Sequence, residues 1–78
     1  MQAFTPAQLL EISSLVVYPK EIAELIRKTK RTAQLLLNDI RFALGKEDHQ
    51  LVTLGELCAY LGMDLIAAFA LLREKKLL

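Results

Sequence analysis

The sequence is poor in the residues that build metal sites and covalent crosslinks. Among its 78 residues are one cysteine, Cys58, and one histidine, His49. A lone cysteine excludes an internal disulfide, and one cysteine with one histidine excludes a zinc framework. We therefore expect no metal site, and we interpret Cys58 as a small buried residue.

The sequence also lacks the signatures of catalysis. It has three glycines and no glycine-rich phosphate loop. His49 lies alone in the charged loop GKEDHQ, and no set of serine, histidine and acid converges on any predicted element. We therefore expect a domain that is not an enzyme, with no cofactor and no small-molecule substrate.

Long hydrophobic runs are absent as well. A membrane-spanning helix needs roughly 18 apolar residues in a row, and no stretch approaches that length. The N-terminus lacks the basic and then apolar layout of a signal peptide. The sequence therefore predicts a cytoplasmic protein that does not bind membranes.

Hydrophobic residues are nevertheless abundant. They make up 54% of the sequence, more than the roughly 45–50% that is usual for soluble domains, and the excess lies in leucine and alanine. A chain of 78 residues forms a single domain with a small core. Part of its apolar surface should therefore be exposed in a monomer.

The charges are unevenly distributed, although the net charge is only +1. Residues 1–19 carry −1 and residues 47–78 carry −2, whereas residues 20–46 carry +4 because seven bases outnumber three acids there. The bases are Lys20, Arg27, Lys28, Lys30, Arg31, Arg41 and Lys46. The middle segment is therefore suited to an acidic partner such as nucleic acid.

Capping signals predict an all-α domain of five short helices with little or no strand. Thr5 and Gln8 form a capping box around Pro6 at the first helical position, and Thr53 with Glu56 forms another. The predicted helices cover residues 6 to about 14, 19–26, about 30–44, 54–61 and 65 to about 76. The stretch LVVY before Pro19 is predicted to be extended.

A helix-turn-helix pattern occurs twice, over residues 19–44 and 53–76. Such a unit needs a small residue in its first helix, a tight turn, a cap, and apolar residues that hold the second helix in place. Ala23 and the cap Thr29 meet this requirement in the first unit, and Cys58 and the cap Asp64 meet it in the second. Equivalent residues lie 35 positions apart, which indicates a duplication or two uses of one motif.

The stretches YPKEIAELIRKTKRTAQLLL and LVTLGELCAYLGMD resemble the bacterial helix-turn-helix DNA-binding domains of small repressors and excisionases. This resemblance implies a compact helical bundle and a recognition helix at residues 30–44, whose buried stripe is Ala33, Leu37, Ile40 and Leu44. The DNA contacts it implies are Arg27, Lys28, Lys30, Arg31, Gln34, Asn38 and Arg41. The amide side chains would pair with adenine, and Lys30 and Arg31 would contact guanine or phosphate. The remaining basic side chains would contact phosphate.

Two features depart from this family's pattern. Arg27 and Lys28 occupy the turn, where the family usually has glycine and an apolar residue. Leu35 and Phe42 lie seven residues apart on the face of the recognition helix opposite its buried stripe. Two apolar side chains in register form a patch that a DNA-binding helix does not require.

The last predicted helix, within LGMDLIAAFALLREKK, is apolar in every direction before Arg73. Either the first helix covers its far side, or it binds a second copy or a partner helix, or its surface was deliberately remodelled to bind a target. The candidate protein-interface residues are Leu35, Phe42, Gly55, Ala59, Leu65, Ile66, Phe69 and Leu72.

Two functional hypotheses follow from the sequence. The leading hypothesis is a protein-binding or self-associating module, natural or engineered, whose partner is a second copy or another protein that docks on the apolar face. The alternative is a transcriptional regulator that binds duplex DNA in a sequence-dependent way. Both place the function on a helical surface and neither requires a pocket.

Overall fold

The computed structural model describes residues 3–77, and within them it confirms the predicted bundle of five helices. A short antiparallel strand pair is added to the helices. The elements, in chain order, are α1 (Pro6–Ser13), β1 (Val16–Val17), α2 (Pro19–Ile26), α3 (Lys30–Ala43), β2 (Val52–Thr53), α4 (Leu54–Leu61) and α5 (Leu65–Glu74). No helix in this range is both long enough and apolar enough to cross a membrane.

Side-chain caps fix the helix starts where the sequence predicts them. The Thr5 hydroxyl accepts from the Gln8 backbone N–H, while Gln8 Oε1 accepts from the Thr5 N–H at 2.8 Å. Asp64 Oδ2 accepts from the N–H of Ala67 at 2.8 Å. These bonds satisfy backbone donors that have no partner within their own helix, so the local sequence determines where each helix begins.

The strand pair joins the two halves of the chain. β1 and β2 are antiparallel, with Val16 opposite Thr53 and Val17 opposite Val52. The Leu54 N–H also donates to the Leu15 carbonyl at 2.6 Å. The link between α1 and α2 is thereby held against the segment that leads into α4, and the two units α2–α3 and α4–α5 share one core.

The core lies between the two units. Side chains from α2, α3, α4 and α5 are fully buried there, together with the two paired valines of the strands, and α1 contributes the buried Ile12. The largest fully buried side chains are Ile22, Ile40, Leu54, Leu57, Leu72, Val17 and Val52. Each helix therefore directs at least one face inward, and truncating one of the large aliphatic side chains to alanine should cost about 2–5 kcal/mol.

Two burial predictions are wrong. Leu44 does not continue the buried stripe of α3, since the helix ends at Ala43 and the Leu44 side chain is 45% exposed. Leu72 was predicted to be an interface residue, but it is fully buried. It lies on the side of α5 that faces the core, so it is not available to a partner.

Gly55 lies where α4 meets α1. A Cβ added to Gly55 would lie 2.9 Å from the Cβ of Ser13 and 3.0 Å from its carbonyl oxygen. The neighbouring backbone that requires the small size of Gly55 therefore belongs to α1 of the same chain. Gly55 is therefore part of an internal helix contact, which removes the reason for assigning it to an intermolecular interface.

Gly55→Ala should destabilise the fold, although alanine is normally about 1 kcal/mol better than glycine inside a helix. The added methyl group must push α1 away from α4, and overpacking of this kind costs about 1–3 kcal/mol. We expect a lower free energy of unfolding in urea. Ala59→Gly, at an exposed position in the same helix, is the control and should cost about 1 kcal/mol. A more stable Gly55→Ala variant would contradict the close contact.

Candidate interface on the third helix

The α2–α3 unit turns through a residue in the left-handed conformation. Arg27 has φ 55° and ψ 46°, and the N–H of Lys28 donates to the Ala23 carbonyl at 3.1 Å. Thr29 then caps α3 by accepting from the N–H of Thr32. Arg27 thus adopts the conformation that glycine usually supplies at a helix end, so the turn is tight even though its residues depart from the family pattern.

The second unit repeats this backbone geometry 35 residues later. Gly62 has φ 67° and ψ 31°, the Met63 N–H donates to the Cys58 carbonyl at 2.9 Å, and Asp64 caps α5. Met63 and Cys58 correspond to Lys28 and Ala23. The duplicated pattern seen in the sequence therefore corresponds to duplicated local structure in the two turns.

Four basic side chains cluster at the N-terminal end of α3. Arg27, Lys28, Lys30 and Arg31 are all exposed. The ion pairs found within residues 3–77 join Lys46 to Glu56 and Lys75 to Glu24, so none of them involves this cluster. The partial positive charge of the helix N-terminus adds to the field of these four bases. This end of α3 is therefore suited to polyanions.

Polar side chains form a ladder along one side of α3. Gln34 Nε2 donates to Asn38 Oδ1 at 3.2 Å, and Arg41 Nη1 donates to the same oxygen at 3.4 Å. Arg41 Nε also donates to the Gln50 carbonyl at 2.8 Å. Arg41, which was predicted to contact phosphate, therefore also holds the loop that leads to β2, a structural role that the sequence did not reveal.

Leu35 and Phe42 lie on the outward face of α3, as the sequence predicted. Phe42 is 89% exposed, which is the highest value for a large hydrophobic residue in the part of the chain that the structure describes, and Leu35 is 58% exposed. Ala33, Leu37 and Ile40 point the other way, into the core. The face of α3 that is open to solvent therefore combines basic, amide and apolar side chains.

The apolar helix α5 is covered largely by its own chain. Ala68 and Leu72 are buried, and Leu65, Ile66 and Phe69 are half-buried against the core. Only alanines, at positions 67 and 70, are exposed before Arg73. Most of the predicted interface on α5 is thus internal packing, which supports the explanation that the first helix covers the far side.

Aromatic and cationic groups close the contact between α1 and α5. The Phe4 ring, just before α1, meets the Phe69 ring edge to face with 6.5 Å between centroids. Arg73 Cζ lies over the Phe69 ring, 5.6 Å from its centroid. An open hollow of about 310 Å³ remains beside Phe69, lined by Glu11, Ile12, Leu15, Phe69 and Arg73. Its charged rim residues are exposed, so it is a surface depression between two helices.

The remaining polar candidates show no catalytic arrangement in the part of the chain that the structure describes. Cys58 is buried, and burial together with the charge of Asp64 raises the pKa of its thiol. His49 lies exposed in the loop after α3. No group of three or more metal-ligating side chains occurs within residues 3–77. The exposed face of α3 is therefore the strongest candidate site.

No known family model, curated protein or solved structure matches this chain. The resemblance to helix-turn-helix domains accordingly stays a prediction.

Arg27→Gly should stabilise the fold, because glycine adopts the left-handed conformation without the steric cost that arginine pays there. Glycine also increases the entropy of the unfolded chain, which offsets part of this benefit. We therefore expect a net gain of about 0.5–1 kcal/mol in the free energy of unfolding. Thermal unfolding followed by circular dichroism measures it. Lys28→Gly, at a position without positive φ, is the control and should be neutral or destabilising. Destabilisation by Arg27→Gly would show that the Arg27 side chain stabilises the turn.

Glu56 should make the fold sensitive to acid. Partial burial alone would raise the pKa of its carboxyl group, but hydrogen bonds from Thr53 and Lys46 and the Lys46 charge together lower it below the ordinary 4.5. A lowered pKa gives stability that is present above the ordinary value and is lost as the pH falls through the lowered one. Glu56→Gln should therefore lose less stability on acidification than the unmodified chain. Equal losses would contradict this role.

Proposed function

We propose that this domain binds duplex DNA through the N-terminal half of α3. The observation that carries the proposal is the cluster of four exposed bases, Arg27, Lys28, Lys30 and Arg31, at the start of a helix that follows a tight turn. In helix-turn-helix proteins, the N-terminal residues of the second helix enter the major groove while the first helix crosses the backbone. In such a complex, basic side chains at the start of the second helix would come close to DNA phosphates.

Gln34 and Asn38 are the candidates for reading base edges. Their mutual hydrogen bond uses Gln34 Nε2 and Asn38 Oδ1, which leaves Gln34 Oε1 and Asn38 Nδ2 as one acceptor and one donor on the exposed side of α3. Adenine offers one donor and one acceptor in the major groove, so an amide side chain complements it. The ladder on α3 also restrains both amides before DNA arrives, which lowers the entropy cost of binding.

Leu35 is compatible with this function. It follows Gln34 in the helix and is exposed beside Arg31 and Asn38 on the outward face. The thymine methyl group is the one apolar feature of the major groove, and apolar side chains contact it. Phe42 lies two turns beyond Leu35 and is not needed for such a contact, so its exposure requires another explanation.

A titration of duplex DNA at increasing salt tests this function. Neutralising about four phosphates should make log K fall with log salt at a slope of about −4. Arg31→Ala should reduce this slope by about 1 and weaken binding to all sequences, whereas Gln34→Ala should change sequence preference and leave the slope unaltered.

Lys76→Ala, after the end of α5, is the matched control because it removes one positive charge away from α3. It should leave the slope unaltered. Undetectable binding at low salt would refute the function. An equal decrease in the magnitude of the salt slope for Lys76→Ala and Arg31→Ala would also refute it.

We also propose protein association through Leu35 and Phe42 as a second function. The observation that favours it is the exposure of the Phe42 ring, since burying a phenylalanine side chain contributes roughly 1.5–3 kcal/mol. This interface is smaller than the sequence predicted, because the apolar residues of α5 are mostly packed within the fold. It lies on the same helix as the proposed DNA-binding residues.

A further inference from the structure

We propose that a second copy of this chain packs antiparallel against α3 and covers the face that binds DNA. The stripe that the second copy would cover is formed by Arg31, Leu35, Asn38 and Phe42, and the first three also belong to the proposed DNA-binding surface. This inference rests on the second proposed function and names its partner. Self-association and DNA binding are then mutually exclusive, because both use this surface of α3.

The spacing of these four residues favours the packing of one helix against another. They lie 4, 3 and 4 positions apart, which is the a and d pattern of helices that pack at a shallow angle. At about 100° per residue they fall within one narrow stripe. Arg31 and Asn38 are exposed along with the two apolar residues, so the whole stripe is accessible to another helix.

Antiparallel packing pairs unlike residues across the two copies. In that arrangement a positions face d positions, so Leu35 faces the second copy's Asn38 and the Phe42 ring faces the second copy's Arg31. A guanidinium over an aromatic ring is a favourable pairing. Symmetry produces it twice, and the most exposed hydrophobic ring of the described chain gains a partner of suitable chemistry.

Charge complementarity favours the same orientation. The N-terminal end of α3 carries four bases, and the loop after its C-terminal end carries Glu47 and Asp48. Antiparallel packing brings each basic end near the acidic turn of the second copy and also opposes the two helix dipoles favourably. Lys46, the base nearest this turn, lies 3.0 Å from Glu56 and donates to the Leu51 carbonyl within its own chain.

The contact is small, because α3 has 14 residues and is about 21 Å long. An interface of one helix on one helix belongs to the weak and transient class. We therefore expect a dimer that forms at high protein concentration and dissociates on dilution.

Molar mass measured by light scattering over about a hundredfold range of concentration tests the proposal. At low ionic strength, where the charge pairing is least screened, the mass should rise from one chain towards two. A mass of one chain throughout would overturn the inference and leave DNA or another protein as the occupant of this face.

Three variants test the arrangement. Phe42→Arg places arginine opposite the second copy's Arg31 and should raise the dissociation constant at least tenfold. Adding Arg31→Phe to Phe42→Arg restores an unlike pair in the reverse order and should recover dimerisation. Leu10→Arg replaces a leucine that is 68% exposed on α1 and should have no effect. Failure of the double variant to recover, or equal losses from Leu10→Arg and Phe42→Arg, would overturn the antiparallel register.

Adding duplex DNA to the dimer distinguishes failure of dimerisation from failure of DNA binding. Saturating DNA should dissociate the dimer of the unmodified chain. A dimer that persists on DNA would contradict the proposal that both use the same face of α3. If the chain dimerises but binds no DNA, the first proposed function fails and the dimer stands. If it binds DNA but stays monomeric, the dimer fails and the first function stands. Circular dichroism of each variant shows that loss of association is not loss of fold.

Discussion

The packing of α2 on α3 is the constraint on which the rest of the structure depends. Ala23 and Ala33 are small and buried on these two helices, and the left-handed turn at Arg27 sets the direction of α3. Ile22, Leu37 and Ile40 then direct the inner faces of both helices into the core. This packing turns one face of α3 inward, so the opposite face, which carries Arg31, Leu35, Asn38 and Phe42, is exposed to solvent.

The small size of the domain explains its apolar helix. α5 supplies Ala68 and Leu72 to the core, and its flank packs against α1 through Phe69 and Phe4. In a chain this short, few residues are available to fill the interior, so a helix that contacts α1, α2 and α4 needs apolar residues on several sides. The apolar pattern that would indicate a binding surface in isolation is here mostly internal packing, whereas Leu35 and Phe42 on α3 remain exposed.

The helices were predictable because their boundaries are local. Thr5, Thr29, Thr53 and Asp64 each accept a bond from an N–H three residues away, so a few adjacent residues determine where a helix begins. Exposure of Leu35 and Phe42 was also predictable, since both lie opposite the buried stripe of one helix.

The structural features that could not be predicted from the sequence depend on contacts between distant segments of the chain. The burial of Leu72, the approach of Ser13 to Gly55 and the bond from Arg41 to the Gln50 carbonyl all require the tertiary arrangement. No periodicity within a single helix encodes which neighbour will cover it.

We propose that the outward face of α3 is the surface through which the domain binds its partner. Amide chemical-shift mapping during titration with duplex DNA at low salt tests it most directly, because every helix is observed in one experiment. We expect the largest shifts between residues 27 and 42, with α1 and α5 nearly unchanged. Shifts confined to α5 or to the hollow beside Phe69, or no shifts at all, would contradict the assignment of function to α3.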